Sequence, residues 1–266
     1  MRDADTFNSG RELRLAARSG AFHRPTSGEA PGYVQANLVI LPRDWAYDFL
    51  LFAQRNPKPC PVLEVGEAGS PETAILADRA DIRTDLPLYR VYEKGELVEE
   101  TGEILSRWRD DFVFFLLGCS FTFETALLQA GLRLRHQEEG VNVPMYRTNL
   151  VCRGAQRFLD SPMVVSMRPF APADAIRAVE ITREYPAVHG SPVHLGDPAG
   201  IGIADMGAPE WGDAVTIREG EIPLFWACGI TPQLAALVSR PPLMITHAPG
   251  YMFLGDRADH EFRLSG

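Results

Sequence analysis

Phe112 to Gly131, FVFFLLGCSFTFETALLQAG, limits what this chain can fold into more than any other stretch. Phe112 to Leu117 is an unbroken apolar run that reads as a strand buried on both faces. Gly118-Cys119-Ser120 then supplies small residues where the chain must turn sharply. Beyond the turn, Phe123, Leu127 and Leu128 recur at helical spacing, and Gly131 stands where a helix C-cap glycine belongs. A strand passing through a small-residue turn into a helix leaves backbone N–H groups free at the helix start, which suits an anion. Without a ligand, the same pattern is a core strand and a capped helix.

The phrase occurs twice. Pro223 to Leu237, PLFWACGITPQLAAL, again runs from an apolar strand through a Cys/Gly turn into a helix, with Thr231 as expected N-cap and Pro232 as first helical residue. Aligning Cys119 with Cys228 also aligns Thr122 with Thr231, Glu124 with Gln233, Ala126 with Ala235 and Leu128 with Leu237. A duplicated fold would let two helix N-termini face one cleft and hold a ligand with two carboxylates. That idea requires the two turns to meet.

Composition bounds the function. The 266 residues suffice for one large core or two intertwined subdomains, and 45% apolar with 23% charged residues describes an ordinary soluble globular protein. A net charge of −9 without a basic run argues against nucleic-acid binding. No apolar run approaches the roughly 20 residues of a membrane span, and the N-terminus is too polar and acidic for a secretory signal. Cys60, Cys119, Cys152 and Cys228 lack CxxC spacing, so they fit a reducing cytoplasm better than a disulfide framework or a zinc ribbon. No phosphate loop, GxGxxG fingerprint, GxSxG elbow or HExxH pair is present, which removes most of the case for ATP, nicotinamide or serine-hydrolase chemistry.

Taken in order, residues 6–19 read as a surface helix with Ser9 and Glu12 at capping-box spacing. A Pro/Gly/Ser-rich linker follows from His23 to Gly32. Tyr33 to Leu41 is a core segment of either type, and Asp44 to Arg55 an amphipathic helix. Val62 to Val65 reads as a strand and Leu88 to Val98 as a hairpin turning at Lys94-Gly95. Leu132 to Gly140 reads as solvated. Val143 to Val151 and Met163 to Met167 are extended, Pro172 starts a helix to about Tyr185, Ile201 to Ala204 is a short strand, and Leu243 to Thr246 another. These elements predict an α/β fold with a mixed sheet. Residues 1–31 form an N-terminal helix and linker, and 32–266 one catalytic domain or two interleaved halves, about 32–160 and 161–266.

Several residues can carry chemistry. His189, His194 and Asp197 share one Pro/Gly-stiffened loop that can aim two imidazoles and a carboxylate at one point, for proton transfer or, more weakly, a metal. His247 emerges at a strand end; hydrogen-bonding of local backbone is its bland alternative. His136 lies in a charged stretch and reads as solvated. Arg147 and Arg168 interrupt or end apolar strands, and such an arginine needs an acidic partner, from the protein or from a substrate carboxylate. Glu124 sits in the first turn of a helix, as cap or as base. Cys119 and Cys228 beside helix starts are candidate nucleophiles ranked below acid–base catalysis.

With those residues in hand, the chain resembles the hydro-lyase family also called YcsI-like or D-glutamate cyclase domain. The resemblance runs from Gly32 to Asp256 on NLVILPRDWAYDFLLFAQRNPKPCPVLEV, FLLGCSFTFE, VPMYRTN, VVSMRP, HGSPVHLGDP, PLFWACGITPQ and ITHAPGYMFLGD. It implies interconversion of D-glutamate and 5-oxo-D-proline plus water, a small amino or dicarboxylic substrate, and no cofactor or metal. The motifs that coincide with the physical candidates place Arg147 and Arg168 as carboxylate clamps. N–H groups near Ser120 and Thr231, with Cys228 beside them, would be further substrate contacts. His194 or His247 would be the base, Asp197 would orient an imidazole, and Glu124 or the second histidine would protonate the leaving oxygen. The rivals are a metal-assisted hydro-lyase on a hydroxy acid and a protein that only binds a carboxylate metabolite. A homo-oligomer is left open.

Overall fold

A computed structural model describes residues 7–264; the first six residues of the N-terminal segment lie outside it. Helix α1 (Gly10–Arg18) starts as its sequence suggests, with the Ser9 hydroxyl accepting the Glu12 N–H at 3.2 Å. Glu12 reaches back one residue further than the expected box, to the Asn8 N–H. The ambiguous segment after the linker is strand β1 (Tyr33–Pro42), which Pro42 turns directly into α2 (Arg43–Arg55). Then come β2 (Val62–Val65), the hairpin β3 (Tyr89–Glu93) and β4 (Glu96–Thr101), and β5 (Phe112–Gly118) leading into α3 (Phe121–Gln129). Lys94 and Gly95 turn that hairpin at positive φ, as two-residue hairpin loops demand.

The second half holds α4 (Arg135–Glu139), β6 (Met145–Cys152), β7 (Ser161–Phe170), α5 (Pro172–Arg183), β8 (His194–Leu195), β9 (Ile222–Ala227), α6 (Thr231–Ser239), β10 (Met244–His247) and β11 (Phe253–Ala258). One sheet has seven strands in the order β2-β5-β1-β10-β3-β4, with β11 beside the first part of β1; the other has four, β6-β7-β9-β8. All these pairings are antiparallel. The α/β expectation is thus borne out.

Strand β5 is covered on both faces, because its alternate residues feed two cores. Phe112, Phe114 and Leu116 pack with β1 and β3 residues on one side, and Val113, Phe115 and Leu117 pack with α2 on the other. At about 1.5–3 kcal/mol for each fully buried large side chain, this strand anchors the sheet.

The two strand–turn–helix units meet. Cys119 and Phe121 share a buried cluster with Cys228 and Ile230. Their local bonding is matched: Thr122 Oγ1 accepts the Gln35 N–H at 3.0 Å and Thr231 Oγ1 accepts the Val164 N–H at 3.0 Å. Gly229 must be glycine because a Cβ there would lie 2.0 Å from the Asn37 amide, which is itself tied to the Gly118 carbonyl at 2.8 Å. Thr231 is therefore not the N-cap; that position is Ile230, and the threonine spends its hydroxyl on the neighbouring strand. Two other expectations change. Ile201 to Ala204 is no strand, because Pro198–Ile201 forms a 3-10 turn closed by Gly202 at φ +79°. Leu132 to Gly140 is not solvated throughout; it contains α4, with Arg135 and His136 buried.

Candidate functional site

Helix α3 leaves the β5 turn with Glu124 in its first turn and the side chain buried. Strand β7 delivers Arg168, wholly buried, to the same place. The guanidinium donates to Glu124 Oε1 through Nε (3.0 Å) and Nη2, to Ser120 Oγ at 3.1 Å, and to Ser166 Oγ at 3.1 Å. Phe123 and Trp226 flank it at 5.7 and 5.5 Å from their ring centres. Four of its five N–H groups are therefore spent on the protein. The expectation of Arg168 as a bidentate carboxylate clamp is corrected: its acid is Glu124.

His136 closes the constellation from α4. Its Nε2 lies 3.2 Å from Glu124 Oε1 and 3.2 Å from Ser27 Oγ, while Gln137 donates to Glu124 Oε2 at 2.8 Å. Burial pushes the Glu124 carboxyl up, but the charges and hydrogen bonds of His136 and Arg168 outweigh it and hold the group at about 2. An ionised carboxylate only accepts hydrogen bonds, so the histidine nitrogen facing it carries the proton. In the neutral ring Nδ1 is then the lone-pair atom. It bonds to none of the described residues and is not among the sealed polar atoms. His136, Glu124, Ser27, Gln137, Phe121 and Asn142 line a cavity of about 830 Å³, and the Phe121 ring stacks on the imidazole at 6.4 Å.

Two further acids of this wall have cationic partners, while Asp213 accepts the Asn142 N–H at 3.0 Å. Glu29 meets Arg24 at 2.9 Å, and Glu138 meets Arg135 at 3.2 Å and Arg133 at 3.4 Å. An imidazole held by an ionised carboxylate on a cavity wall can take up and return protons.

The other expected site residues do not gather here. Arg147 lies on the outward face of β6, with its side chain 57% exposed and Glu210 at 3.9 Å, so the clamp role does not survive. The His189–His194–Asp197 loop does not aim its groups at one point. His194 Nε2 bonds the Asp197 carbonyl at 2.6 Å, while the Asp197 carboxylate caps its own turn at the Ala199 N–H. Asp197 therefore does not orient the ring through its carboxylate. His189, at φ +83°, donates Nδ1–H to the Lys58 carbonyl at 2.8 Å. Among the described residues no three His, Cys, Asp or Glu side chains come together as a metal would need.

His247 is no accessible base either. Its Nδ1 accepts the Leu38 N–H at 3.0 Å and faces the Gln233 amide at 3.3 Å, and its Nε2 is sealed without a partner. Cys119 and Cys228 are protonated thiols, since burial raises Cys119 far above the usual range and Cys228 to about 11, against the nucleophile reading. Of the N–H groups near Ser120 and Thr231 expected to meet an anion, that of Thr122 donates to the Cys119 carbonyl at 3.1 Å and that of Thr231 to the Cys228 carbonyl at 3.0 Å, while the Ser120 and Thr231 hydroxyls meet Arg168 and Val164.

The buried histidines carry a pH prediction. Burial lowers His189 and His247 to about 4 each. Between their unfolded value of about 6.5 and about 4, the unfolded chain binds more protons than the native one. Their contribution is therefore complete above pH 6.5 and is lost as pH falls towards 4, by about 3 kcal/mol per histidine. Urea midpoints at pH 7, 6, 5 and 4.5 should fall steadily, and a His247→Gln variant should show a shallower fall.

His136 and Ser27 were the residues that sequence reasoning missed. The only local signal was Gly140, the left-handed C-cap of a short helix that carries His136. Ser27 stood in what reads as linker.

Comparison with known proteins adds the class. Residues 113–256 match the family model described as D-glutamate cyclase. Proteins named "Putative hydro-lyase" from Rubrobacter xylanophilus and Saccharopolyspora erythraea are 59% and 60% identical, covering 95% and 94% of this chain and 97% and 96% of their own. A third, from Geobacillus kaustophilus, is 56% identical over 95% of this chain and 96% of its own. A solved nitrogen repressor-like protein from Methanococcus jannaschii overlays 94% of this chain and 98% of its own at TM-score 0.37 and 8% identity, too loosely to define a shared fold. No helix among the described residues is long and apolar enough to cross a membrane. A family match over more than half the chain and identities of 56–60% along nearly all of it show that the chain belongs to the D-glutamate cyclase family and is a lyase of the hydro-lyase type.

Proposed function

We propose that this lyase interconverts D-glutamate and 5-oxo-D-proline plus water, with His136 as the proton carrier and Glu124 as its fixed counter-ion. The observation that supports the reading is the ionised Glu124, 3.2 Å from His136 Nε2 on the wall of the 830 Å³ cavity. Membership of the family supports the substrate. Cyclisation moves two protons from the α-ammonium nitrogen to the departing γ-carboxyl oxygen, while a C–N bond forms and a C–O bond breaks. His136 Nδ1 takes one proton from the ammonium, the freed amine attacks the γ-carbon, and the imidazolium passes that proton to a γ-oxygen; Nδ1 then takes the second proton from the nitrogen of the tetrahedral adduct and gives it to the same oxygen, which leaves as water as the C–O bond breaks. Glu124 stabilises the imidazolium and keeps the ring in one tautomer. Arg24 and Arg133, at the cavity wall, would meet the substrate carboxylates by exchanging their partners Glu29 and Glu138. Holding amine and carboxyl in contact supplies up to about 7–11 kcal/mol of barrier reduction.

The test is incubation of the purified protein with D- and L-glutamate, both 5-oxoprolines and a set of hydroxy acids, followed by mass spectrometry. D-glutamate should lose one water and 5-oxo-D-proline should gain one, equally with and without a chelator. Dehydration of a hydroxy acid alone, abolished by the chelator, would replace this reading with metal-assisted chemistry.

A further inference from the structure

The segment between α1 and β1 reads as a linker, yet it forms one wall of the cavity and is firmly anchored there. Thr26 is wholly buried and makes the anchor. Its N–H donates to the Gly250 carbonyl at 2.8 Å, and its hydroxyl donates to Gln35 Oε1 at 2.8 Å and accepts the Met252 N–H at 3.1 Å. Its carbonyl accepts the Gln35 amide at 3.1 Å. Gly28 follows at φ +78°, a turn that a side chain would strain. Ser27 is pinned between them and faces the site.

One arrangement of protons satisfies every contact that Ser27 makes. Glu124 is ionised and cannot donate, so the Ser27 hydroxyl donates to Oε2 at 3.2 Å. Its lone pairs then accept from His136 Nε2–H at 3.2 Å and from the Gln137 amide at 3.3 Å. Gln137 has a second N–H for Glu124 Oε2. The hydroxyl thus touches both members of the acid–base pair from outside the helices that carry them. A linker serine that merely filled space would need no such circuit.

We infer that Ser27 is a positioning residue, whose hydroxyl fixes the plane of the His136 ring against Glu124 so that Nδ1 stays open to the cavity. The inference rests on the acid–base reading of His136, and it extends the working site to a segment outside α3 and α4. Ser27 holds the ring through Nε2 and does not itself meet the reacting atoms.

Ser27→Ala and Ser27→Thr in the full-length protein decide it. Ser27→Ala should lower kcat about tenfold or more, the scale of one lost hydrogen bond to a charged group, with KM changed less than about twofold. Ser27→Thr keeps the hydroxyl and should recover most of the rate. Independently of turnover, the His136 Nε2–H proton should give a downfield NMR resonance in the native protein that shifts or broadens in Ser27→Ala and returns in Ser27→Thr. A resonance unchanged in Ser27→Ala overturns the inference, whatever the rate does. If the native protein turns over neither D-glutamate nor 5-oxo-D-proline, the functional reading fails while the resonance still decides the role of Ser27.

Discussion

His136→Ala should abolish measurable interconversion of D-glutamate and 5-oxo-D-proline, lowering kcat by about 10²–10⁴-fold, the usual range for a lost general acid–base. The fold should survive, because α4 is a five-residue helix at the cavity wall and the variant shortens one side chain without leaving a charge unpaired inside. Glu124 keeps Arg168, Ser27 and Gln137 as partners. Circular dichroism and a urea midpoint within about 1 M of the native protein would establish that the loss is chemical. His194→Ala provides the contrast. His194 lies on an edge strand away from the cavity, its ring bonds the Asp197 carbonyl, and turnover of the variant should stay within about twofold of native. Full activity in His136→Ala would remove this residue from the mechanism.

The second large effect concerns stability. Arg168→Met leaves Glu124 buried beside His136 with its arginine partner gone, and breaking one side of a buried ion pair costs about 3–5 kcal/mol. The Glu124 carboxyl points the same way: it sits at about 2 against an ordinary value of 4.5 because His136 and Arg168 together outweigh its burial. Because the folded value is depressed, that stabilisation is present above pH 4.5 and is lost only as pH falls towards 2, below the window where the buried histidines act. Pairing Arg168→Met with Glu124→Gln should recover at least half of the loss, since the uncompensated charge is gone. Urea unfolding of the two single variants and the double variant measures this directly. A double variant no more stable than Arg168→Met would mean that the arginine acts mainly by packing between Phe123 and Trp226.

Much of this molecule was legible from residues alone where local chemistry decided it. Phe112 to Gly118 is a strand because its uninterrupted apolar run can be satisfied only between two cores, and it lies between two. The Lys94-Gly95 hairpin, the Pro172 helix and the Gly131 C-cap follow from backbone preferences that need no partner. Glu124 was legible as a candidate because it stands in the first turn of a helix behind a small-residue turn. Thr231 misled for a specific reason. Threonine before proline has the composition of an N-cap, but the hydroxyl found a better partner in the Val164 backbone, 67 residues away. The histidine proposed as proton carrier is likewise not the one that local sequence favours. His194 and His247 stood in loop and strand-end settings that suggest catalysis, whereas His136 sat in a charged run that suggests solvent.

What the sequence determined by itself is the set of local elements, the paired strand–turn–helix units and the family, since each depends on residues that are neighbours along the chain. Tertiary structure alone decided that Arg168 spends its charge on Glu124, that His136 turns inward, and that a linker serine completes the pair. Those outcomes depend on which buried polar groups meet across separations of 44, 97 and 109 residues. The cost of leaving any of them unpaired inside the protein selects the partner, and no local pattern records that choice.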